Sequence, residues 1–88
     1  MSTQTIDLTG ICSKAALHQH LKEKLNFPAW YGPSWDALFD RLLAQPGLPD
    51  EVRLTNWQQL DPAAVAMLRR IALDYAAERP GRRLVLVA

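Results

Sequence analysis

The sequence contains one cysteine, Cys12, so no internal disulfide can brace it; that fits a reducing compartment and leaves stability to a packed core. No stretch approaches the ~18 apolar residues that mark a membrane span. The opening Met1-Ser2-Thr3-Gln4-Thr5-Ile6-Asp7 lacks the basic start and apolar run of a secretory leader. A cytoplasmic location is expected. The four glycines are scattered, none in a G-x-G-x-x-G or P-loop spacing, which removes the usual phosphate-cradling loops. Net charge is also small. At +1 it excludes strong electrostatic capture by nucleic acid or an acidic membrane.

What remains is globular material. Hydrophobic residues make up 49% and charged residues 22%, which argues against disorder. For a 9.9 kDa chain, area scaling gives roughly 14,000 Å² unfolded and roughly 5,000 Å² folded. That suffices for one core, with residues 1–88 as a single domain. Charge is unevenly spread. Residues 26–50 hold Asp36, Asp40 and Asp50 against Arg41, a local −2, while the last ten carry Arg79, Arg82 and Arg83, a local +3. The arginines read as a solvated edge rather than a phosphate site.

Thr5-Ile6-Asp7-Leu8, ahead of Thr9-Gly10, reads as a short strand. Ser13 is placed to cap a helix from Lys14 to Leu25, in which Leu17, Leu21 and Leu25 recur at four-residue spacing. Pro28 and Gly32 break that pattern within the aromatic-rich Phe27-Pro28-Ala29-Trp30-Tyr31-Gly32-Pro33-Ser34. Ser34 then caps a second helix, Trp35 to about Ala44, with Trp35, Leu38, Phe39 and Leu42 on one face. Glu51 to Thr55 alternates as a strand. Asp61-Pro62 starts a third helix whose stripe is Val65, Leu68, Ile71, Ala72 and Tyr75, closed by Pro80-Gly81. Leu84 to Val87 is an apolar run suited to a covered parallel strand. The order β-α-α-β-α-β predicts a small α/β layer fold on a parallel sheet.

Enzyme chemistry is thinly represented. His18 and His20, two apart on a helix, point roughly 200° from each other and cannot clasp one ion. Nothing around Cys12 resembles an activating turn. Asp36 and Asp40 are different: carboxylates at i, i+4 lie on one side of the second helix and destabilise it slightly. Asp36 sits in the first turn, where the positive helix end favours an anion, but Asp40 lies too deep for that benefit. Trp30, Tyr31 and Phe39 lie near the pair, and Trp35 is on the same helix. Trp35 is expected to fill the core, leaving Trp30 and Phe39 partly exposed beside the carboxylates, the composition of a protein–protein hot spot. A rival reading makes Asp36 and Asp40 the Mg²⁺ ligands of a phosphoryl hydrolase, although no third ligand or base lies nearby in sequence. Trp57 is expected to pack over the sheet edge, and Arg70 with Asp74 to form a surface ion pair.

The run Leu25-Asn26-Phe27-Pro28-Ala29-Trp30-Tyr31-Gly32-Pro33-Ser34-Trp35-Asp36-Ala37-Leu38-Phe39-Asp40-Arg41-Leu42 resembles the barstar family, intracellular inhibitors of a bacterial ribonuclease. Leu17-His18-Gln19 and the closing Leu84 to Val87 look like that family too, and the likeness covers nearly the whole chain. It implies a three-stranded parallel sheet packed with three main helices. It also implies no catalysis, and binding of a small basic ribonuclease through the second helix and the loop before it; no cofactor and a monomeric state are expected. By the same likeness Asp40 matches the aspartate that takes the substrate-phosphate position, and Asp36 matches the second aspartate of that helix. Trp30 stands at a contacting tyrosine, Phe39 at a contacting tryptophan, and Gly32 at the loop glycine that lets the backbone approach closely. Asp74 is the acid nearest to a further interface acid on the last helix, one or two residues off.

There are departures. Pro33-Ser34 stands where a family example has Glu-Asn, and Trp35 where it has leucine. Well-known members are acidic and this chain is +1. Steering toward a basic enzyme is therefore weaker, and the alternative is a barstar-like immunity or regulatory module against a different toxin or enzyme.

Overall fold

In the computed structural model, which describes residues 2–88, both serines cap helices. Ser13 Oγ accepts the Ala16 N–H at 3.2 Å and Ser34 Oγ the Ala37 N–H at 3.0 Å, starting α1 (Lys14–Lys24) and α2 (Trp35–Ala44) where the sequence predicts. The third helix, α3 (Pro62–Glu78), begins behind Asp61 with proline in its first turn. The Asp61 carboxylate makes no cap bond; the residue's N–H is tied to the Cys12 carbonyl at 2.8 Å.

Strands β1 (Thr3–Asp7), β2 (Glu51–Thr55) and β3 (Arg83–Leu86) form a parallel sheet in the order β1-β2-β3. The described chain is thus a three-stranded parallel α/β fold in the order β-α-α-β-α-β. A 3-10 turn at Trp57–Gln59 follows β2. Two strand boundaries differ from the apolar pattern, because pairing rather than hydropathy sets them: Thr3 and Arg83 both lie opposite Glu51. Trp57 is half-buried, and its indole N–H donates to the Val87 carbonyl at 2.8 Å.

Register gives the sheet two unlike faces. Ile6, Val52, Leu54 and Leu84 share one side, each at most 6% exposed. Leu17 and Leu21 of α1, Leu38 and Leu42 of α2, and Leu68, Ile71 and Tyr75 of α3 complete the core with them. Thr5, Arg53, Thr55 and Val85 lie on the other side, exposed or half-buried.

Parallel sheets are ordinarily covered on both faces; the second face here carries charge. Glu51 is buried, taking Arg53 at 3.1 Å on Oε1 and the Arg83 guanidinium on Oε2. The Arg53 hydrogen bond first, and Arg83 with it, hold the carboxyl below its ordinary range. A depressed carboxyl stabilises the fold above its unfolded value near 4.5 and loses that contribution as pH falls through the folded value. Glu51→Gln is expected to lower the melting temperature at neutral pH, with the gap to the parent narrowing in acid. A gap that stays constant down to about pH 3 would show that the ion pairs are not its source.

Besides the His18 imidazole, the buried rings are Phe27, Tyr31 and Tyr75, at 6%, 7% and 0% exposure; Trp35 is only half-buried, contrary to the expectation that it fills the core. Trp35 opens α2 and reaches across the helix end, where its ring covers His18 at a centroid separation of 4.7 Å. Leu38 and Leu42, deeper in the helix, take the central positions.

Candidate functional site

The segment between α1 and α2 is tied at several points. Asn26 takes a left-handed φ of 56°, and the Phe27 N–H returns to the Lys22 carbonyl at 3.0 Å. The Tyr31 N–H closes a turn on the Pro28 carbonyl at 3.0 Å, and Lys22 Nζ donates to the Ala29 carbonyl at 3.1 Å. Beneath that turn the Tyr31 hydroxyl lies 2.6 Å from His18 Nδ1. Burial, helped by the Lys14 charge, pushes the His18 imidazole down to about 4, and burial raises the Tyr31 phenol to about 12. Both are neutral near pH 7. His18 therefore anchors the loop to α1.

Asp36 and Asp40 stand one turn apart on α2, both exposed. Neither has an ion pair among the described residues. The nearby cations are committed elsewhere. Arg41 donates through Nη2 to Gln45 Oε1, and its guanidinium lies 5.3 Å from the Trp30 ring centroid. Lys14 lies 5.7 Å from the Trp35 ring centroid.

Trp30 is 73% exposed yet held. Besides the guanidinium on its ring, a chain from Arg41 to Gln45 and from Gln45 Nε2 to the Asn26 carbonyl, at 3.1 Å, ties its loop to the end of α2. A cation over an exposed ring is worth about 0.5–1 kcal/mol. Arg41→Ala is expected to cost about 1 kcal/mol of stability and to loosen the Trp30 indole, read by ¹⁵N relaxation of its side-chain N–H. Unchanged indole order would overturn the clamp.

Phe39 is half-buried and packs against the core. Gly32 is unusual among the glycines. The other three have positive φ, which favours glycine, whereas Gly32 does not, and a Cβ there would meet nothing within 4 Å. Neither backbone nor packing within the fold requires a glycine at this position. Trp30, Gly32, Asp36, Phe39 and Asp40 thus fall on one loop and the helix after it. Asp74 lies apart on α3, where its carboxylate accepts from Arg70 Nε at 3.3 Å with both side chains largely in solvent, the surface pair expected from their spacing.

His18, Arg41 and Gln45 were not legible as site residues. Their partners lie on other elements, as with His18–Tyr31 at a separation of 13 and Gln45–Asn26 at 19. The aromatic cluster in the sequence was the available pointer. Asp36 and Asp40 remain a two-carboxylate set, since no group of three or more His, Cys, Asp or Glu that could hold a metal ion occurs among the described residues. No described helix is long and apolar enough to cross a membrane.

The architecture is that of a small parallel α/β protein that displays a bare acidic helix beside a clamped tryptophan. A family model described as "Barstar (barnase inhibitor)" matches residues 1–86, and the chain belongs to the barstar family. A stretch of 42 residues is 45% identical to "Putative ribonuclease inhibitor YrdF" of Bacillus subtilis (strain 168). That stretch covers 48% of this chain and 46% of the relative, so the match spans less than half of the relative's length. The family description names a barnase inhibitor, and the relative's name a ribonuclease inhibitor.

Proposed function

We propose that the chain is a non-catalytic, cytoplasmic inhibitor that binds as a monomer to a small basic ribonuclease and blocks its active site with α2 and the preceding loop. Asp40 occupies the position of a substrate phosphate and accepts from the cationic side chains that would hold it. Asp36 adds a second contact one turn away. Trp30 and Phe39 exclude water from these pairs, which strengthens charge-assisted hydrogen bonds. The Gly32 backbone comes close to the enzyme surface, and Asp74 adds a peripheral contact. The observation that carries this reading is the pair of exposed carboxylates without counter-ions among the described residues, in a fold whose other acidic groups include the twice-paired Glu51.

The test is a titration of barnase with the purified chain, reading RNA cleavage. Activity should vanish at one equivalent, and undiminished cleavage at several equivalents would sink the proposal. Gly32→Ala sharpens the result. With space for its methyl and no left-handed φ, the variant should melt at the parent's temperature or slightly above. Its inhibition constant should nevertheless rise, by roughly tenfold for a contact worth about 1.4 kcal/mol. A drop in melting temperature would assign Gly32 a folding role.

One observation favours a different toxin or enzyme as the target. Arg41 places a cation directly after Asp40 on α2, and the whole chain is +1, so long-range attraction to a strongly basic enzyme is reduced. Parallel titration against a less basic nuclease distinguishes the two targets by relative inhibition constant.

A further inference from the structure

Away from α2, the outer edge of β3 has unusual properties. The sheet order leaves β3 paired on one side only. The Arg83 and Val87 N–H groups donate toward β2, to the Asp50 and Leu54 carbonyls, both at 2.9 Å. By alternation, the main-chain groups of Leu84 and Leu86 face outward, away from the sheet. An open groove of about 410 Å³ runs beside that edge, between β3 and α3. Ala72 and Ala76, four apart on α3, keep its wall low, and Leu73 beside them is 71% exposed. Natural edge strands are commonly guarded by charged side chains, proline or a bulge; β3 has one charge, Arg83 at its start, and no proline.

Charge indicates what fits. Arg69 stands at one end of the groove, its guanidinium 5.0 Å from the Trp57 ring centroid, and Trp57 in turn bonds Val87 just past the end of β3. Arg83 stands at the other end, and Arg82 lines a neighbouring pocket together with Asp50 and Glu51. Arg83 shares Glu51, whereas Arg69 and Arg82 have no carboxylate partner among the described residues. No acid lines the groove. A second copy pairing through β3 would bring two sets of these arginines together, which disfavours self-association at this edge.

We infer that the β3–α3 edge is a second docking surface, which takes an extended segment of another protein with aliphatic side chains at alternate positions and a carboxylate at the Arg69 end. The segment adds a fourth strand to the sheet through Leu84 and Leu86. Its alternate side chains enter the groove, and its acid meets Arg69. Four strand residues span about 13 Å, so a six-residue segment reaches both ends. None of the groove residues belongs to α2 or its loop, so the surface stays free while α2 is engaged.

The test is an NMR titration of the whole chain with two peptides, acetyl-Asp-Thr-Val-Thr-Val-Asp-amide and the same sequence with lysine at both ends. The acidic peptide should shift and slow the exchange of the Leu84 and Leu86 amides. The lysine peptide should bind at least tenfold more weakly, and Arg69→Glu or Leu73→Ser should weaken the acidic peptide at least fivefold while each variant keeps the parent's folded amide spectrum. Equal response to both peptides would reduce the groove to a merely apolar patch and overturn the inference. So would no response at millimolar peptide, or protection that grows with protein concentration alone, which would assign the edge to a second copy.

Discussion

Asp40→Ala is expected to weaken inhibition of the target ribonuclease by about 30-fold to several-thousand-fold, the effect of truncating one partner of a desolvated charge pair worth about 2–5 kcal/mol. That range comes from inhibitor complexes of this kind, barstar's included, and much of it is the cost of leaving the enzyme's cations buried and unpaired. Stability should move the opposite way. Asp40 has no counter-ion among the described residues and stands one turn from Asp36. Removing it relieves a like-charge i, i+4 contact worth a few tenths of a kcal/mol, so the variant should melt at the same temperature or slightly higher. Asp74→Ala makes the contrast. Its carboxylate is exposed and already paired with Arg70, and such surface pairs contribute about 0–1 kcal/mol, so inhibition should change by less than about fivefold. Measured side by side against one enzyme, equal losses from the two variants would remove Asp40 as the anchor.

The second large effect is on stability. Between pH 6.5 and about pH 4 the folded chain should become less stable by up to about 3 kcal/mol because of His18 alone. The sign follows from burial. The unfolded imidazole takes a proton as pH drops through its ordinary value of 6.5, while the folded one, desolvated and facing the Lys14 charge, resists until about 4. Protons therefore favour the unfolded chain across that window, and the contribution is complete above it. Asp7 does not confuse the measurement, because its hydrogen bonds, that from the Thr9 hydroxyl first, hold it near 2 and place its effect in stronger acid. Urea midpoints at pH 7, 6 and 5 should fall for the parent. In His18→Gln they should be lower at pH 7, where the bond to Tyr31 is lost, but nearly flat across the series. An equally steep fall in that variant would dismiss His18 as the titrating group. Tyr31→Phe leaves a buried ring nitrogen unpaired and should cost about 1–3 kcal/mol.

Loop and helix are linked in these two predictions. Tyr31 sits between Trp30 and Gly32, so the bond that stabilises the fold also holds the proposed binding loop.

Much of this protein was decided locally. Serine hydroxyls at positions 13 and 34 set the starts of two helices, and Pro62 the start of the third, because capping and proline geometry act over a few residues. The leucine repeat named the core face of α1, and strands separated by helices implied parallel pairing. The spacing of Asp36 and Asp40 put both on one side of α2, and the barstar likeness of the run from Leu25 to Leu42 was readable in the residues themselves.

Other features required the chain to fold back on itself. Which aromatic filled the core depended on where each helix end came to rest, and Tyr31 rather than Trp35 faced inward. Whether the aspartates kept their charge bare depended on Arg41 finding Trp30 and Gln45 first. The burial of Glu51 between Arg53 and Arg83 followed from strand register, and the open edge of β3 from strand order. Local propensity acts between neighbours in the chain, whereas charge pairing, ring burial and exposed edges depend on distances that only the assembled layers define.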